Sequence, residues 1–230
     1  MRAPFLLITL ATTACGVAGS GVTATQSRPI ADFTSLSAAD GVRLEISRGP
    51  TSLTIEGDDN LLPLIKTEVV DGQLIIRKTT REALRATRPI VLRLTTPSLS
   101  RLEASGGTDV LLADAAAPRF SADLSGGVDF EVRGLEVESF ELHASGGVDV
   151  KAAGVAKAAQ LTVSGGADID ARQLKITHVA VDGSGGCDVE LTALESIAGE
   201  LSGGGSVTVH GHPVNARVQT SGGASVDYRD

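Results

Sequence analysis

The tripeptide Ser-Gly-Gly occurs seven times, starting at Ser105, Ser125, Ser145, Ser164, Ser184, Ser202 and Ser221, with successive spacings of 20, 20, 19, 20, 18 and 19 residues. A fixed period of this length marks a repeat architecture, in which no unit can bury its apolar face alone and each does so by stacking on its neighbours. Fourteen of the 27 glycines lie in these pairs, so the glycine content is positional and does not signal a low-complexity segment. A Gly pair permits positive φ and close backbone approach, both needed where a strand turns a corner directly above another copy of itself.

Strand periodicity follows each pair, with apolar and polar positions alternating. The fifth position past the Ser is Val110, Phe130, Val150, Ile169, Val189, Val207 and Val226, an inward row of β-branched or aromatic residues. The third position is smaller: Thr108, Val128, Val148, Ala167, Cys187, Gly205 and Ala224. Cys187 in that row is read as a buried filler in preference to a reactive thiol. Three residues before the Ser, Leu102, Ala122, Leu142, Leu161 and Val181 form another apolar row. Rungs of about 20 residues predict an all-β, right-handed parallel β-helix whose turns stack at roughly 4.8 Å. Neither the leucine-rich-repeat pattern nor the nine-residue calcium-binding roll fits the chain. Upstream, residues Phe33 to Lys78 hold longer strand-like runs, with Asn60 to Glu68 as a short helical or irregular excursion. These N-terminal strands are expected to form the first rungs or to cap the open edge. Thr79 to Arg88, with Arg81, Arg85 and Arg88, is expected to be an exposed, solvated loop.

Residues 1–15 look like an export signal: Arg2, an apolar run from Phe5 to Leu10 too short to span a bilayer, then small residues up to Cys15. That ending resembles the lipobox of bacterial lipoproteins, which makes Cys15 the candidate lipidation site; Thr12 stands where a Leu is usual. Residues 16–29 are expected to be a flexible tether and residues 30–230 the β-helix domain. The expected location is the cell envelope, as an exported outer-membrane lipoprotein facing the periplasm or the surface. With only Cys187 left in the mature domain there is no intramolecular disulfide. The net charge of -8 and the absence of Trp argue against nucleic acid, and membrane contact is expected only through a lipid anchor.

The chain is similar to the bacterial family described as putative auto-transporter adhesin, head GIN domain. The resemblance rests on Phe33-Thr34-Ser35-Leu36, Gly41-Val42-Arg43-Leu44, Asn60-Leu61-Leu62, Gly72-Gln73-Leu74 and Thr95-Thr96-Pro97-Ser98-Leu99, in that order, followed by the Ser-Gly segments. It covers about residues 30–230 and implies an exported β-helical protein without catalytic residues. The regular Ser-Gly-Gly-x-Asp rungs go beyond the looser Ser-Gly pattern of the family.

Five consecutive rungs place an Asp at the fourth position past the Ser, namely Asp109, Asp129, Asp149, Asp168 and Asp188, which stacking would align in an outward column. Like charges about 5 Å apart repel by roughly 1 kcal/mol in water, so the column needs compensation. In the favoured reading each carboxylate accepts hydrogen bonds from the amides of its own corner. In the other, neighbouring carboxylates share Ca²⁺. Ser206 and Ser225 at the equivalent position favour the first, because a hydroxyl can serve a turn but is a poor calcium ligand. No metal or cofactor is therefore expected. Asp149 with Lys151 is the one outward acid–base pair of the ladder, and His210 with His212 is too small a set for a metal. The function expected is a non-catalytic binding or adhesion module of unknown ligand, a glycan or an envelope protein. The alternatives are a β-helical polysaccharide lyase or hydrolase and a purely structural envelope protein.

Overall fold

Alternation of buried and exposed residues runs through the rungs as far as residue 210, and it winds the chain into a β-solenoid of about six turns, the intervals that seven Ser-Gly-Gly corners enclose. The computed structural model describes residues 16–229. The strands in chain order are β1 (Gly16–Ala18), β2 (Thr23–Ser27), β3 (Ser35–Ala38), β4 (Arg43–Arg48), β5 (Ser52–Asp58), β6 (Ile65–Val70), β7 (Gln73–Lys78), β8 (Ala83–Arg85) and β9 (Val91–Thr96). The repeat region follows as β10 (Arg101–Ser105), β11 (Asp109–Ala113), β12 (Ala116–Gly165), β13 (Asp168–Gly185), β14 (Asp188–Gly203), β15 (Ser206–His210), β16 (Asn215–Gly222) and β17 (Ser225–Arg229).

Every ladder of the repeat region is parallel, and like positions stack on like: Val110 on Phe130, Val150 on Ile169, Ile169 on Val189, Val189 on Val207. These side chains are buried, as are Leu102, Ala122, Leu142, Leu161 and Val181 in the other inward row. Phe120 lies at the centre of a short aromatic stack, with ring centroids 6.4 Å from Phe130 and 6.1 Å from Phe140. Cys187 is buried, and burial pushes its thiol above the usual range. Its space is kept by glycines: a Cβ on Gly205 would lie 2.3 Å from the Cys187 carbonyl oxygen, and one on Gly183 would lie 3.1 Å from Sγ.

Only one glycine of most corner pairs is conformationally required. The first has positive φ, as at Gly126 (84°), Gly146 (93°) and Gly185 (98°), whereas Gly127, Gly147 and Gly186 do not. A Cβ on Gly185 would stand 2.7 Å from the carbonyl oxygen of Gly165, one rung away, so the corners stack glycine on glycine.

The N-terminal third caps the coil, but out of chain order. Strand β3 lies between β7 and β10, and β4 lies between β9 and β11, so the rung made by residues 35–48 is inserted between two rungs that follow it in sequence. Beyond them β6 runs antiparallel to β7 and β5 antiparallel to β9, which ends the parallel stack. The excursion after Asn60 is a 3-10 turn, Leu62–Leu64, leading into β6.

The stretch expected to be a tether is ordered strand. β2 pairs antiparallel with β5, and β1 pairs parallel with β8. Backbone pairing offsets its lack of apolar side chains, and polar clamps add to it. The buried Asp58 carboxylate accepts hydrogen bonds from the amides of Gly21 (2.9 Å) and Thr87 (2.8 Å) and from the Thr87 hydroxyl (2.7 Å). Those bonds, the Thr87 hydroxyl first, hold its pKa below the usual carboxylate value. Arg28 donates to the carbonyls of Leu62 (2.8 Å) and Ile65 (2.6 Å), fixing the far end of β2. Cys15 and the rest of the stretch expected to be an export signal, residues 1–15, lie outside the described residues.

Candidate binding face

Because side chains alternate across a strand, the fourth and sixth positions past each Ser lie on the same outer face. The register places Asp109 opposite Asp129, Asp149 opposite Asp168, and Asp168 opposite both Asp149 and Asp188. The Asp column of the sequence is therefore real. A second charged column runs beside it through Glu131, Lys151, Asp170 and Glu190. Together they line an open groove of about 800 Å³ extending from Arg43 to Glu190. The second column was missed from the sequence, although reading the sixth position down the seven repeats would have shown it.

The carboxylates do not cap their own corners. Corner amides are satisfied by the neighbouring rung instead: Gly166 N–H donates to Gly146 O (3.1 Å), Gly186 to Gly165 (2.9 Å), Gly204 to Gly185 (2.9 Å), and Asp188 to Ala167 (3.0 Å). With the donors already used by the ladder, the Asp side chains are left facing solvent. At the two ends of the column other groups compensate: Arg43 bridges Asp109 at 2.9 Å, and the Ser206 hydroxyl donates to Asp188 at 2.6 Å. Between them the carboxylates of Asp129, Asp149 and Asp168 make no hydrogen bond or ion pair with a described residue. Burial, then the charges of Asp149 and Asp188, push the Asp168 carboxyl above its usual pKa. Asp170 moves the other way, because Arg172 forks onto it at 2.9 and 2.7 Å. The same bonds raise the Arg172 pKa, and Glu190 contacts Arg172 at 3.4 Å.

Asp149 and Lys151 do not form an ion pair; the Lys151 charge acts on Asp170. His210 places Nε2 2.7 Å from Glu190. Among the described residues no three His, Cys, Asp or Glu side chains are arranged to hold a metal ion. A second, shallower groove of about 470 Å³ crosses the corner side, over Ser105, Ser125, Ser145 and Ser164 with Asp123 and His143.

The solenoid is similar to the crystal structure of a putative adhesin from Bacteroides fragilis, with a TM-score of 0.86 and 23% identity over 93% of this chain and 100% of that one. It is also similar to a putative lipid binding protein from Parabacteroides distasonis (TM-score 0.71, 17% identity, 92% and 99% covered) and a putative adhesin from Parabacteroides merdae (0.69, 19%, 94% and 99%). At these identities the likeness shows the fold. Curated proteins give no match. The family model for the putative auto-transporter adhesin, head GIN domain, matches residues 32–213, the cap and six of the seven Ser-Gly-Gly corners, and the chain belongs to that family.

Proposed function

We propose that the protein is a non-catalytic binding module of the adhesion type, exported to the cell envelope, held there by lipid on Cys15, and engaging its ligand along the acidic face. The observation that carries this reading is the groove itself, open and repeating the same chemistry from rung to rung. Such a surface suits an extended ligand gripped at several equivalent points, with neutral hydroxyls or positive charge facing the carboxylates. Membership of an adhesin-named family supports it.

A glycan-active enzyme is the second reading. In its favour stand Asp168 and Asp170, neighbouring carboxyls moved in opposite directions. Against it, the Arg172 fork occupies Asp170 and repetition explains Asp168. A glycan-array screen combined with a product assay on the retained polymers separates the two. Retention without new chain ends is expected, and release of unsaturated or reducing ends that stops in Asp168→Asn would refute the binding reading. For the anchor, globomycin should cause unprocessed precursor to accumulate, and a Cys15→Ala protein that still partitions wholly with membranes would refute lipidation.

A further inference from the structure

We infer that residues 79–90, the short strand β8 with its exposed flanks, form a second membrane contact, seating Arg81 and Arg88 among anionic lipid headgroups; this rests on the proposed lipid at Cys15. The net charge of -8 argues against such a surface only if charge is evenly spread, and it is not. Residues 77–93 contain Arg77, Lys78, Arg81, Arg85, Arg88 and Arg93 against a single acid, Glu82. Arg77, Lys78 and Arg93 are held in ion pairs with Glu68, Asp40, and Glu45 and Glu56. Arg81 and Arg88 are exposed on either side of β8, whose last residue is Arg85. Arg81 makes no ion pair with a described residue, and Arg88 only senses the Asp58 charge.

Position joins this charge to the anchor. Gly16, the residue after Cys15, is paired with Ala83 in β8, Ala18 is paired with Arg85, and the Gly19 amide donates to the Arg85 carbonyl at 2.9 Å. Asn60 fastens the same segment, donating to Ala18 O at 2.8 Å and accepting from the Ser20 amide at 2.9 Å. One strand residue spans about 3.4 Å, so an acylated Cys15 brings the bilayer surface to β8 and its flanks. The flexible tether expected over residues 16–29 would have left the domain free to tumble. Here the first descriptor of orientation is the cap, lying against the headgroups while the acidic groove, repelled by the same lipids, turns away from them. Each arginine near an anionic surface should raise partitioning about fivefold.

The test uses the full lipidated chain in vesicles of phosphatidylcholine alone or with one quarter phosphatidylglycerol. Nitroxide labels are placed at Ala86→Cys beside β8 and Gln219→Cys in the last rung, where Cys187 is buried and Cys15 blocked. The expected result is that label 86 is shielded from a water-soluble nickel complex in the anionic vesicles. It should become accessible in phosphatidylcholine, in half-molar salt and in Arg81→Ser/Arg88→Ser, while label 219 stays accessible throughout. Equal access at 86 and 219 in anionic vesicles would overturn the inference, and the salt arm decides it without any variant. The mass of the N-terminal peptide reports the lipid separately: with Cys15 bare the anchor reading fails, and the same labels on the bare chain at excess vesicle decide the β8 contact alone.

Discussion

Gly154 provides the sharpest test of how the coil is held together. It sits inside β12 with φ 141°, its register partner in the next rung is Leu174, and a Cβ added to it would lie 2.1 Å from the Leu135 carbonyl oxygen and 2.6 Å from the Leu135 nitrogen. Ordinary contact begins near 3.4 Å, so Gly154→Ala must push two rungs apart by about an ångström. Holding Ala at that φ costs about 1–3 kcal/mol. Loosening two ladder hydrogen bonds adds about 0.5–1.5 kcal/mol each. Reduced entropy of the unfolded chain returns about 0.4–1 kcal/mol. The net expectation is a destabilisation of roughly 1–6 kcal/mol. Gly127→Ala is the matched control, because nothing lies within 4 Å of its Cβ position and its φ is not positive. It has the same unfolded-state gain and no folded-state penalty, so it should be neutral or stabilising by up to about 1 kcal/mol. Urea unfolding of both variants gives the difference, and amide exchange at residues 135–137 and 173–176 shows whether the damage is local. Equal midpoints for the two would mean that inter-rung backbone contact does not dictate glycine in this coil.

Other expectations follow from the site and the core. Asp168 has its folded pKa raised, so its favourable contribution is present below the unfolded value and is lost as pH rises through the folded one. Asp168→Asn should accordingly stabilise the protein at pH 7 by up to about 1 kcal/mol after screening, with the gain shrinking at pH 4; a loss at pH 7 in urea titrations would contradict the repulsion argument. Melting temperature should be the same in EDTA and in millimolar Ca²⁺ at matched ionic strength, and a rise that grows with the logarithm of Ca²⁺ concentration would show that the column shares cations. Phe120→Ala, which removes the centre of the aromatic stack, should cost about 3–5 kcal/mol by thermal and urea unfolding, and a cost below 1 kcal/mol would mean the core repacks freely. A thiol reagent should reach Cys187 only when the coil unfolds; rapid native-state labelling would disprove its burial.

The inward rows were legible because each repeat states them again: Val110, Phe130, Val150 and Ile169 are the same position four times over, and in-register stacking turns that column into a core. The charged face was half legible. The Asp column follows from the same register, but whether its carboxylates serve the corners depends on where the corner amides point. They point to the neighbouring rung, a contact between residues about 20 apart that no local motif reports. The cap was hardest. Thr23-Ala24-Thr25-Gln26-Ser27 is polar on both faces, so its pairing with β5 leaves no amphipathic trace, and residues 35–48 give no sign that later strands will enclose them on both sides. β1 and β2 were therefore mistaken for tether, because low hydrophobicity was taken as freedom when backbone pairing and Asp58 supply the restraint.

The out-of-order rung gives the molecule a mechanical grain. A coil wound strictly in chain order would peel from its first turn when pulled by its N-terminus, one ladder at a time, like thread from a spool. Tension entering at Gly16 first meets β1 on β8 and then β2 on β5, each a single ladder. It then arrives at β3 and β4, each gripped by a neighbour on both sides. To extract that rung, four ladders must yield, and β10 and β11 must lose their support before they are themselves loaded. Under traction from an anchored end, β1 and β2 would slacken at a modest force and the rung of β3 and β4 would resist a much larger one, with the acidic face still assembled while the first two strands give way.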